Sequence, residues 1–345
     1  GGDMQNAPAI PLPFQISQMV TSYWVPQAIY VAATLGVPDV LAGGPRQSAD
    51  VARTVGAHPD ALHRLLRALV VLELCTQTDD GAFALTPLGG CLRSDTSDSV
   101  RAWVLLVAGD VVWQSWGRLI DCVRTGDSVP KQGGVGVFDG IVANPETAAI
   151  FNQSMVQLTR HLAPAIAAAY DFSGIRTIVD IGGGYGALLP PILKANPDMR
   201  GMVFDLPHCR DGALRLFEKT GIAARCEFVA GSFFDDTPPK ADAYTVKSVI
   251  HDWDDERSRA LLRNVRKAMP AGARLLVVEP IVPERTGSSP LDVMLASSDL
   301  NMMVVTGGRE RTEAEFRELI HSAGFRVERI VPTPAAMSVI EAFPA

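Results

Sequence analysis

The feature that most constrains the fold of this chain is an alternation of short apolar runs and helical segments that begins near residue 177. The runs are TIVDI, MRGMVFD, CEFVA, ADAYTVKSV and ARLLVVEP. Short apolar runs separated by helices are typical of βαβ units. Strands that are apolar on both faces belong to parallel sheets covered by helices. The sequence therefore predicts an α/β domain over residues 171–345.

The end of the chain departs from this alternation. FRVERIVPT and AAMSVIEAF are consecutive strand-like runs with no room for a helix between them. Such runs pair as an antiparallel hairpin, because only a parallel connection needs a long crossover. The predicted fold is therefore a Rossmann-like parallel sheet that carries a terminal antiparallel hairpin.

The first part of the chain, residues 1–110, is predicted to be a mainly helical domain. Residues 20–35 are apolar on nearly all sides, with Tyr23, Trp24 and Leu35 among them. A helix of this kind is expected to be buried on more than one side. Two interpretations stay open, a helix in the core of its own domain and a helix that packs on a partner subunit.

A second helix and a hairpin follow in this domain. Residues 59–74 place leucines at helical spacing, and CTQTDDGAFALTP reads as two short strands around a turn. Two helices and a hairpin suggest a winged-helix shape, and with it a DNA-binding regulator as one hypothesis. However, Asp79 and Asp80 at the hairpin tip would repel phosphate, and the formal net charge is −7. We therefore expect neither nucleic acid nor an anionic membrane surface as a partner.

Residues 111–170 form a predicted helical connector, which a glycine-rich loop at residues 126–140 interrupts. No apolar run approaches the roughly 20 residues of a membrane span. The first fourteen residues lack the basic region and apolar core of a secretion signal. The five cysteines are odd in number and form no CxxC pair, which favours reduced thiols in the cytoplasm.

The run VDIGGGYGALL follows the first predicted strand and points to a ligand held by backbone. A P-loop is excluded because Gly186 is followed by Ala187 and Leu188 instead of Lys and Ser or Thr. A dinucleotide site stays open, since Asp205 ends the next strand where an acid would bind ribose. Asp180 before the glycines favours instead a ligand that bears an ammonium or a sulfonium.

Five segments in order resemble one family of class I methyltransferases. They are VDIGGGYG, FDLP, VKSVIHDWDDE, VVEPIVP and GGRERTEAEF. Together they are similar to the metal-independent, small-molecule O-methyltransferases of plants, animals and bacterial natural-product pathways. The helical first part resembles that family's dimerisation domain with its winged-helix core. The resemblance implies a homodimer that uses S-adenosylmethionine and releases S-adenosylhomocysteine, without a metal.

The resemblance also implies a general base. A phenol with a pKa of about 10 is largely protonated at neutral pH, so a base assists its methylation. His251 lies just past a predicted strand and matches the family's base, and Glu279 matches the acid that flanks it. Glu310 matches a second flanking acid. Glu310 is the less certain acid, because Thr312 and Glu315 beside it predict a capping box that opens a helix.

The positions that match the family's donor site lie along several strands. The resemblance places Gly182 and Gly184 at the methionine and ribose end of the donor, Asp205 on the ribose hydroxyls and Phe233 against adenine. The remaining donor-site predictions are Asp180, Leu206, Ser232, Lys247 and Trp253. Ser232 stands where the family often has an acid that binds the adenine amino group, and Asp235 or Asp236 is a candidate replacement.

The acceptor pocket is predicted to be apolar and adaptable. The residues that match it are Phe151, Met155, Asp299, Met302 and Met303. The resemblance implies a small aromatic substrate with a hydroxyl group. N-methylation stays open because a nitrogen acceptor uses the same donor. Hydroxylation or decarboxylation without methyl transfer also stays open, since some relatives catalyse these reactions.

Overall fold

A computed structural model describes residues 8–345 of this chain. The first seven residues, which include part of the segment examined for a secretion signal, lie outside the described residues. The chain divides into two compact units, Gly1–Gly109 and Asp110–Ala345. In residues 8–345, no helix has both the length and the apolar character that a bilayer crossing requires.

The first unit is mainly helical. Its elements are α1 Leu12–Thr21, α2 Trp24–Leu35, α3 Val37–Leu41, α4 Ser48–Val55, α5 Pro59–Val71, β1 Cys75–Gln77, β2 Phe83–Leu85, α6 Pro87–Gly90 and α7 Arg101–Val107. The apolar face of α5 is buried through Leu62, Leu66 and Leu69. Strands β1 and β2 pair antiparallel in the hairpin that the sequence predicts. The winged-helix shape is thereby confirmed, and Asp79 and Asp80 are exposed at the hairpin tip.

The prediction for residues 20–35 is wrong in one respect. This stretch is not one buried helix but the end of α1, a break at Ser22, and α2. Only Ala32 and Ala33 of α2 are buried, whereas Val20, Tyr23 and Trp24 are 64%, 53% and 61% exposed. One face of α2 lies in the core of its own unit, where Ala32 packs near Ile29 and Leu35, so the core-helix interpretation holds for that face only. The reason is geometric, because a helix can turn only one side toward the small core of this unit.

The second unit begins with four helices. They are α8 Asp110–Trp116, α9 Leu119–Thr125, α10 Val137–Ala143 and α11 Pro145–Ala169. The glycine-rich loop is shorter than predicted, because α10 begins at Val137 and includes Gly140. Asn144 caps α11 by accepting a hydrogen bond from the backbone N–H of Glu146, and Pro145 suits the first turn.

A seven-stranded sheet dominates the second unit. Its strands are β3 Thr177–Ile181, β4 Arg200–Asp205, β5 Cys226–Ala230, β6 Ala243–Lys247, β7 Arg274–Glu279, β10 Phe325–Pro332 and β11 Ser338–Pro344. The spatial order is β10-β11-β7-β6-β3-β4-β5. Neighbours from β7 to β5 are parallel, and β11 pairs antiparallel with both β10 and β7. The α/β class and the terminal hairpin are thus confirmed.

Helices cover both faces of the sheet. They are α12 Leu189–Ala195, α13 Arg210–Thr220, α14 Asp255–Ala268 and α16 Glu313–Ser322. Helix α15 Pro290–Val305 packs instead against α8 and α9. A separate pair of short parallel strands, β8 Ile281–Val282 and β9 Arg311–Thr312, lies beyond the end of β7. Strand order changes direction at β3, and the carboxyl ends of β3, β4, β6 and β7 therefore form the edge where α/β proteins bind ligands.

Candidate active site

The glycine loop after β3 is shaped to let a ligand approach the backbone. Gly182, Gly184 and Gly186 have φ angles of 66°, 58° and 84°, in the left-handed region that favours glycine. A Cβ atom on Gly182 would lie 3.2 Å from the ring of Phe233. The predicted adenine contact and the predicted methionine-end glycine are thus neighbours across one small space.

Two acids lie against this loop. Asp180, only 2% exposed, lies under the loop and accepts a hydrogen bond of 2.9 Å from the hydroxyl of Thr245. Asp205 accepts the backbone N–H of Gly184 at 2.7 Å and its neighbouring N–H from Leu206 at 2.7 Å. Burial raises the pKa of Asp180 to about 7, and burial also raises the pKa of Asp205. Asp205 therefore holds the loop through Gly184, whereas Asp180 packs beneath Gly183 and bonds to β6.

Ser232 does not present its hydroxyl to an open site. The hydroxyl donates to Asp235 at 3.2 Å, and the backbone N–H of Ser232 donates to Asp236 at 2.8 Å. The two acids suggested as replacements for the adenine-binding acid are therefore engaged in a local turn around Ser232. Both side chains remain exposed, so their second oxygens face water.

Helix α11 lies over the loop and over the end of β6. Asn152 is buried on α11, and a Cβ atom on Gly184 would lie 3.2 Å from its Oδ1 atom. Seven residues later on the same face, Thr159 accepts a hydrogen bond of 3.1 Å from the ammonium of Lys247. Burial lowers the pKa of Lys247, while Asp180 and Glu279 oppose this effect. Lys247 thus interacts with both Asp180 of the donor side and Glu279 beside His251.

An aromatic cluster borders the loop. Trp253 packs edge-on against Phe233, with ring centroids 6.3 Å apart, and stacks on Phe138 at 5.6 Å. Phe138 in turn meets the predicted acceptor residue Phe151. Among the described residues, the buried indole Nε1 of Trp253 has no hydrogen-bond partner. A ligand with an acceptor atom would satisfy this donor.

His251 lies in the short 3-10 turn Ile250–Asp252, directly after β6, among three carboxylates. Its Nδ1 atom is 2.9 Å from Oε1 of Glu310 and 3.6 Å from Oε2 of Glu279. Its Nε2 atom is 3.6 Å from Oδ1 of Asp252. The sequence ranked Glu279 above Glu310, but Glu310 makes the hydrogen bond to the ring. Glu279 instead accepts the backbone N–H of His251 at 3.4 Å.

The predicted capping box at the start of α16 coexists with this role of Glu310. The hydroxyl of Thr312 accepts the backbone N–H of Glu315, and the carboxylate of Glu315 accepts the backbone N–H of Thr312. Because the box uses Thr312 and Glu315 only, the carboxylate of Glu310 is left to face His251.

The carboxylates determine the protonation of the cluster. Burial alone would lower the pKa of His251, but Glu279, Asp252 and Glu310 together raise it to about 10. Burial raises the pKa of Glu279 to about 7 and that of Asp252 to about 6. For Glu310, burial is outweighed by its hydrogen bond to His251, so its pKa falls below the usual range. The cluster therefore binds a proton strongly at the imidazole.

One atom each of His251, Glu279 and Glu310 lie within 4.8 Å of one another, so this cluster also has a spacing that a metal ion could use. Oε2 of Glu279 and Oε2 of Glu310 are buried without a hydrogen-bond partner among the described residues. The 2.9 Å contact between Nδ1 and Oε1 is already an ordinary charge-assisted hydrogen bond.

Helix α15 supports this cluster and carries predicted acceptor residues. Ser298 donates to Glu310 at 2.8 Å, and Asp299 accepts the backbone N–H of Glu310 at 2.9 Å. Asp299 is therefore engaged at the base of the cluster. Met302 and Met303, one turn later, are partly buried. On α11, Met155 is partly buried one turn after Phe151.

Sequence reasoning missed several of these residues. Ser298, Asn152 and Asp252 contact or approach the site, yet none carried a role in the sequence analysis. Asp252 could have been found, because it adjoins His251 in HDW. Ser298 and Asn152 gave no signal, since a single polar residue in an apolar helix is recognisable only when the partner across the fold is known.

Two family models match this chain. A model described as an O-methyltransferase domain matches residues 116–326, and one described as an O-methyltransferase dimerisation domain matches residues 17–95. The matched regions contain the glycine loop, the His251 cluster and the winged-helix part of the first unit.

The chain is also similar to individual proteins along its whole length. Phenazine O-methyltransferase PhzM of Lysobacter antibioticus is 40% identical over 340 residues, which cover 98% of each chain. A solved structure, LaPhzM, gives a TM-score of 0.92 at 39% identity and covers 97% of this chain and 100% of its own.

A third comparison includes bound ligands. The O-methyltransferase NcsB1 from neocarzinostatin biosynthesis was solved with S-adenosylmethionine and 2-hydroxy-5-methyl naphthoic acid. It is 34% identical with a TM-score of 0.80, and the match covers 98% of this chain and 100% of that one. This chain therefore belongs to the family of S-adenosylmethionine-dependent O-methyltransferases.

Proposed function

We propose that this protein methylates a hydroxyl group of a small aromatic natural product, with His251 as the group that takes up the hydroxyl proton. The observation that carries the proposal is the imidazole of His251, held by Glu310 at 2.9 Å beside the glycine loop. The named relatives act on a phenazine and bind a naphthoic acid, which supports a planar aromatic acceptor here.

The residues of the loop fit the methyl donor. Gly182 lets the backbone approach the ring of Phe233, where a Cβ atom would lie only 3.2 Å away, and Asp205 ends β4 next to Gly184. The unpartnered Nε1 of Trp253 offers a donor for a heteroatom of the ligand. We assign Asp180, Gly182 and Gly184 to the methionine end, Asp205 with Leu206 to the ribose, and Phe233 to the adenine. Lys247 lies at the centre of this edge, while Ser232 lies at its periphery.

S-adenosylmethionine, when bound, supplies an electrophilic methyl group, and the protein must orient the acceptor and manage its proton. A general base works best when its pKa lies near the working pH, because only the deprotonated form accepts a proton. The three carboxylates raise the pKa of His251 to about 10, so the neutral imidazole is the minor form at neutral pH and kcat should rise as the pH approaches 10. The neutral imidazole takes up the phenol proton at Nε2, because Nδ1 is engaged with Glu310. Glu310 and Glu279 stabilise the imidazolium that results.

The experiment that tests this function is the substitution His251→Ala. We expect S-adenosylhomocysteine to bind with unchanged affinity by calorimetry, whereas kcat falls at least ~10²-fold, the usual scale of general-base catalysis. His321→Ala is the matched control, because His321 is exposed in the last turn of α16. If His251→Ala turns over like the wild type, the assignment of the base is wrong.

Product analysis distinguishes the open alternatives. Incubation of aromatic hydroxyl compounds with labelled donor should give a product heavier by one CH₂ unit, with the label on oxygen by NMR. A label on nitrogen would establish N-methylation instead. A product without the CH₂ increment would indicate hydroxylation or decarboxylation.

We further propose a homodimer formed through the first unit. This proposal is supported by the dimerisation model over residues 17–95 and by the apolar side chains that α1 and α2 expose. Phe14→Asp combined with Trp24→Asp should give a monomer by light scattering, because buried charge without a partner is costly. Leu214→Asp, at an exposed position of α13, should leave the mass of the dimer unchanged. A dimer that persists in the double variant would contradict this interface.

The five cysteines are all unpaired. Free thiols suit a reducing compartment, so we propose that the enzyme works in the cytoplasm. Fractionation of the producing cells would test this location.

A further inference from the structure

Residues 308–311, the sequence Gly-Arg-Glu-Arg, run alongside the turn that carries His251. Each of the four contacts residues 250–253 with a different chemical group. A Cβ atom on Gly308 would overlap the carbonyl oxygen of His251. The backbone N–H of Arg309 donates to that same carbonyl oxygen at 2.9 Å. The carboxylate of Glu310 meets the imidazole ring, as described above.

Arg311 completes this series from inside the protein. Its side chain is 1% exposed and is the largest fully buried side chain of the described residues. The guanidinium donates to the carbonyl oxygen of Ile250 at 3.1 Å and to that of Trp253 at 2.9 Å. It also contacts one carboxylate oxygen of Asp255, through Nε at 3.1 Å and through a terminal nitrogen at 2.9 Å. One rigid group thus binds the turn at the residue before His251 and at the second residue after it.

The backbone of Arg311 connects the same residue to the second acid. Strand β9 begins at Arg311, which pairs with Ile281 of β8, two residues after Glu279. Arg311 therefore lies next to Glu310 in sequence, pairs with the strand that continues from Glu279, and binds the turn of His251. The mutual geometry of His251, Glu310 and Glu279 defines the base.

We propose that Arg311 is a positioning residue for the methyl transfer, which holds the His251 turn against Glu310 and Glu279 through the carbonyls of Ile250 and Trp253. This inference rests on the proposed role of His251. Arg311 touches neither donor nor acceptor and acts through the turn alone. Lysine cannot replace it fully, because an ammonium lacks the planar fork that reaches two carbonyls and a carboxylate together.

The size of the effect follows from geometry. A general base must lie within about 2.6–3.2 Å of the proton that it takes up. A displacement of about 1 Å at a reacting group can cost roughly 10²-fold in rate. Without Arg311, the carbonyl of Trp253 would keep only the Ser258 hydroxyl at 3.4 Å. The carbonyl of Ile250 would keep the same hydroxyl at 3.2 Å and the N–H of Trp253 at 3.2 Å. The turn would therefore lose its charged donor and be held less tightly.

The test compares Arg311→Met and Arg311→Lys with Arg317→Met, which changes an exposed arginine of α16 that forms an ion pair with Glu313. Rates are expressed per S-adenosylhomocysteine-binding site, counted by calorimetry, so that misfolded protein is excluded. We expect kcat to fall about 10²-fold in Arg311→Met and about 10-fold in Arg311→Lys, with donor affinity unchanged. Arg317→Met should match the wild type.

A pH profile separates positioning from general stability. With Glu310 no longer held against the ring, the pH of half-maximal kcat in Arg311→Met should fall by about one unit. A purely structural role would lower the melting temperature and the number of binding sites but leave this midpoint in place. If kcat per site and the midpoint both equal those of the wild type, the proposal is overturned.

Gly308→Ala approaches the same question when Arg311→Met does not fold. Its new methyl group presses on the carbonyl of His251, so kcat should fall while S-adenosylhomocysteine still binds. Full activity in Gly308→Ala would show that the turn need not be held in place and would overturn the proposal. The outcome is independent of the base assignment, because His251→Ala tests that separately. Loss of activity in His251→Ala, with normal rates in Arg311→Met and Gly308→Ala, would overturn this inference only.

Discussion

Two groups of buried acids lie side by side at the carboxyl edge of the sheet, and they are satisfied in opposite ways. Asp180 and Asp205, under the glycine loop, accept hydrogen bonds from a hydroxyl and from backbone N–H groups. Glu279 and Glu310, around His251, accept a backbone N–H and the Ser298 hydroxyl, but in each the Oε2 atom is buried without a hydrogen-bond partner among residues 8–345. The first pair therefore shapes the loop, while the second pair keeps two carboxylate oxygens directed at the imidazole.

This difference matches the two tasks of a methyl transfer. A donor site has to be rigid before binding, since its gain comes from orientation. A base site has to change its charge during the reaction, and unsatisfied carboxylates are suited to stabilise a new imidazolium. Each side has two acids, so their number does not distinguish the donor side from the proton-accepting side. What distinguishes them is whether buried carboxylate oxygens are left without hydrogen-bond partners among the described residues.

The largest effect should come from removing charge at the acid that touches the ring. Glu310→Gln keeps the size of the side chain, but a neutral acceptor binds imidazolium roughly half as strongly as a carboxylate. We expect kcat to fall about 10²-fold in Glu310→Gln and about 10-fold in Glu279→Gln, since only Glu310 lies within hydrogen-bond distance of the ring. Steady-state kinetics at saturating donor measure both.

Glu313→Gln serves as the control for these variants, because Glu313 is exposed on α16 and forms an ion pair with Arg317, away from His251 in sequence. A larger loss in Glu279→Gln than in Glu310→Gln would reverse the ranking that the distances give. It would restore the order that the sequence suggested.

The next effect concerns the donor side. The pKa of Asp180 is raised to about 7, so this acid gains a proton and loses its charge as the pH falls from 8 to 6. If its charge attracts the ammonium of the donor, affinity for S-adenosylhomocysteine should fall about 10-fold over that range. Asp180→Asn should bind about 10-fold more weakly at pH 8 and lose the pH dependence. Calorimetry in matched buffers measures both quantities.

Asp171→Asn is the appropriate comparison, because Asp171 is exposed ahead of β3, whose opposite end carries the loop, and should leave both values unchanged. Equal pH dependence in Asp180→Asn and the wild type would assign the titration to another group. The donor acids would then resemble the His251 acids more closely than their hydrogen bonds suggest.

Much of this arrangement could be predicted from the sequence. The apolar runs fixed the strands, and the pair FRVERIVPT and AAMSVIEAF gave the terminal hairpin, because local pattern alone decides these features. The ranking of Glu279 and Glu310 could not be predicted. It depends on a difference of less than 1 Å between two contacts to one ring, and no residue pattern encodes such a distance.

The first unit shows a different limit of prediction. The apolar character of residues 20–35 was correctly recognised, yet Val20 and Trp24 are mostly exposed in the single chain. Hydrophobicity indicates that a surface will be covered but not by which chain. The winged-helix shape depends only on contacts inside one unit, and the sequence could therefore predict it.

A smaller effect should appear in stability. The folded pKa of His251, about 10, exceeds its ordinary value of 6.5. Its imidazolium therefore stabilises the fold fully below pH 6.5, and this contribution is lost as the pH rises through 10. His251→Gln lacks the titration, so the wild type should lose a few degrees more in melting temperature between pH 6 and pH 10. Parallel loss in both proteins, measured by calorimetric scanning, would place the stabilising charge elsewhere.

The smallest expected effect is none, on removal of metal. The carboxylates of Glu279 and Glu310, whose Oε2 atoms have no hydrogen-bond partner among the described residues, have with His251 a spacing that could also bind a cation. The second group of acids would then be a metal site. A cation there would compete with the imidazolium for the same carboxylates, and Lys247, whose pKa Glu279 helps to hold up, already lies nearby. Dialysis against EDTA should therefore leave kcat and the melting temperature unchanged. Loss of activity that Mg²⁺ or Zn²⁺ restores in the wild type, but not in Glu310→Gln, would show that the carboxylates of Glu279 and Glu310 bind a metal instead of stabilising a protonated His251.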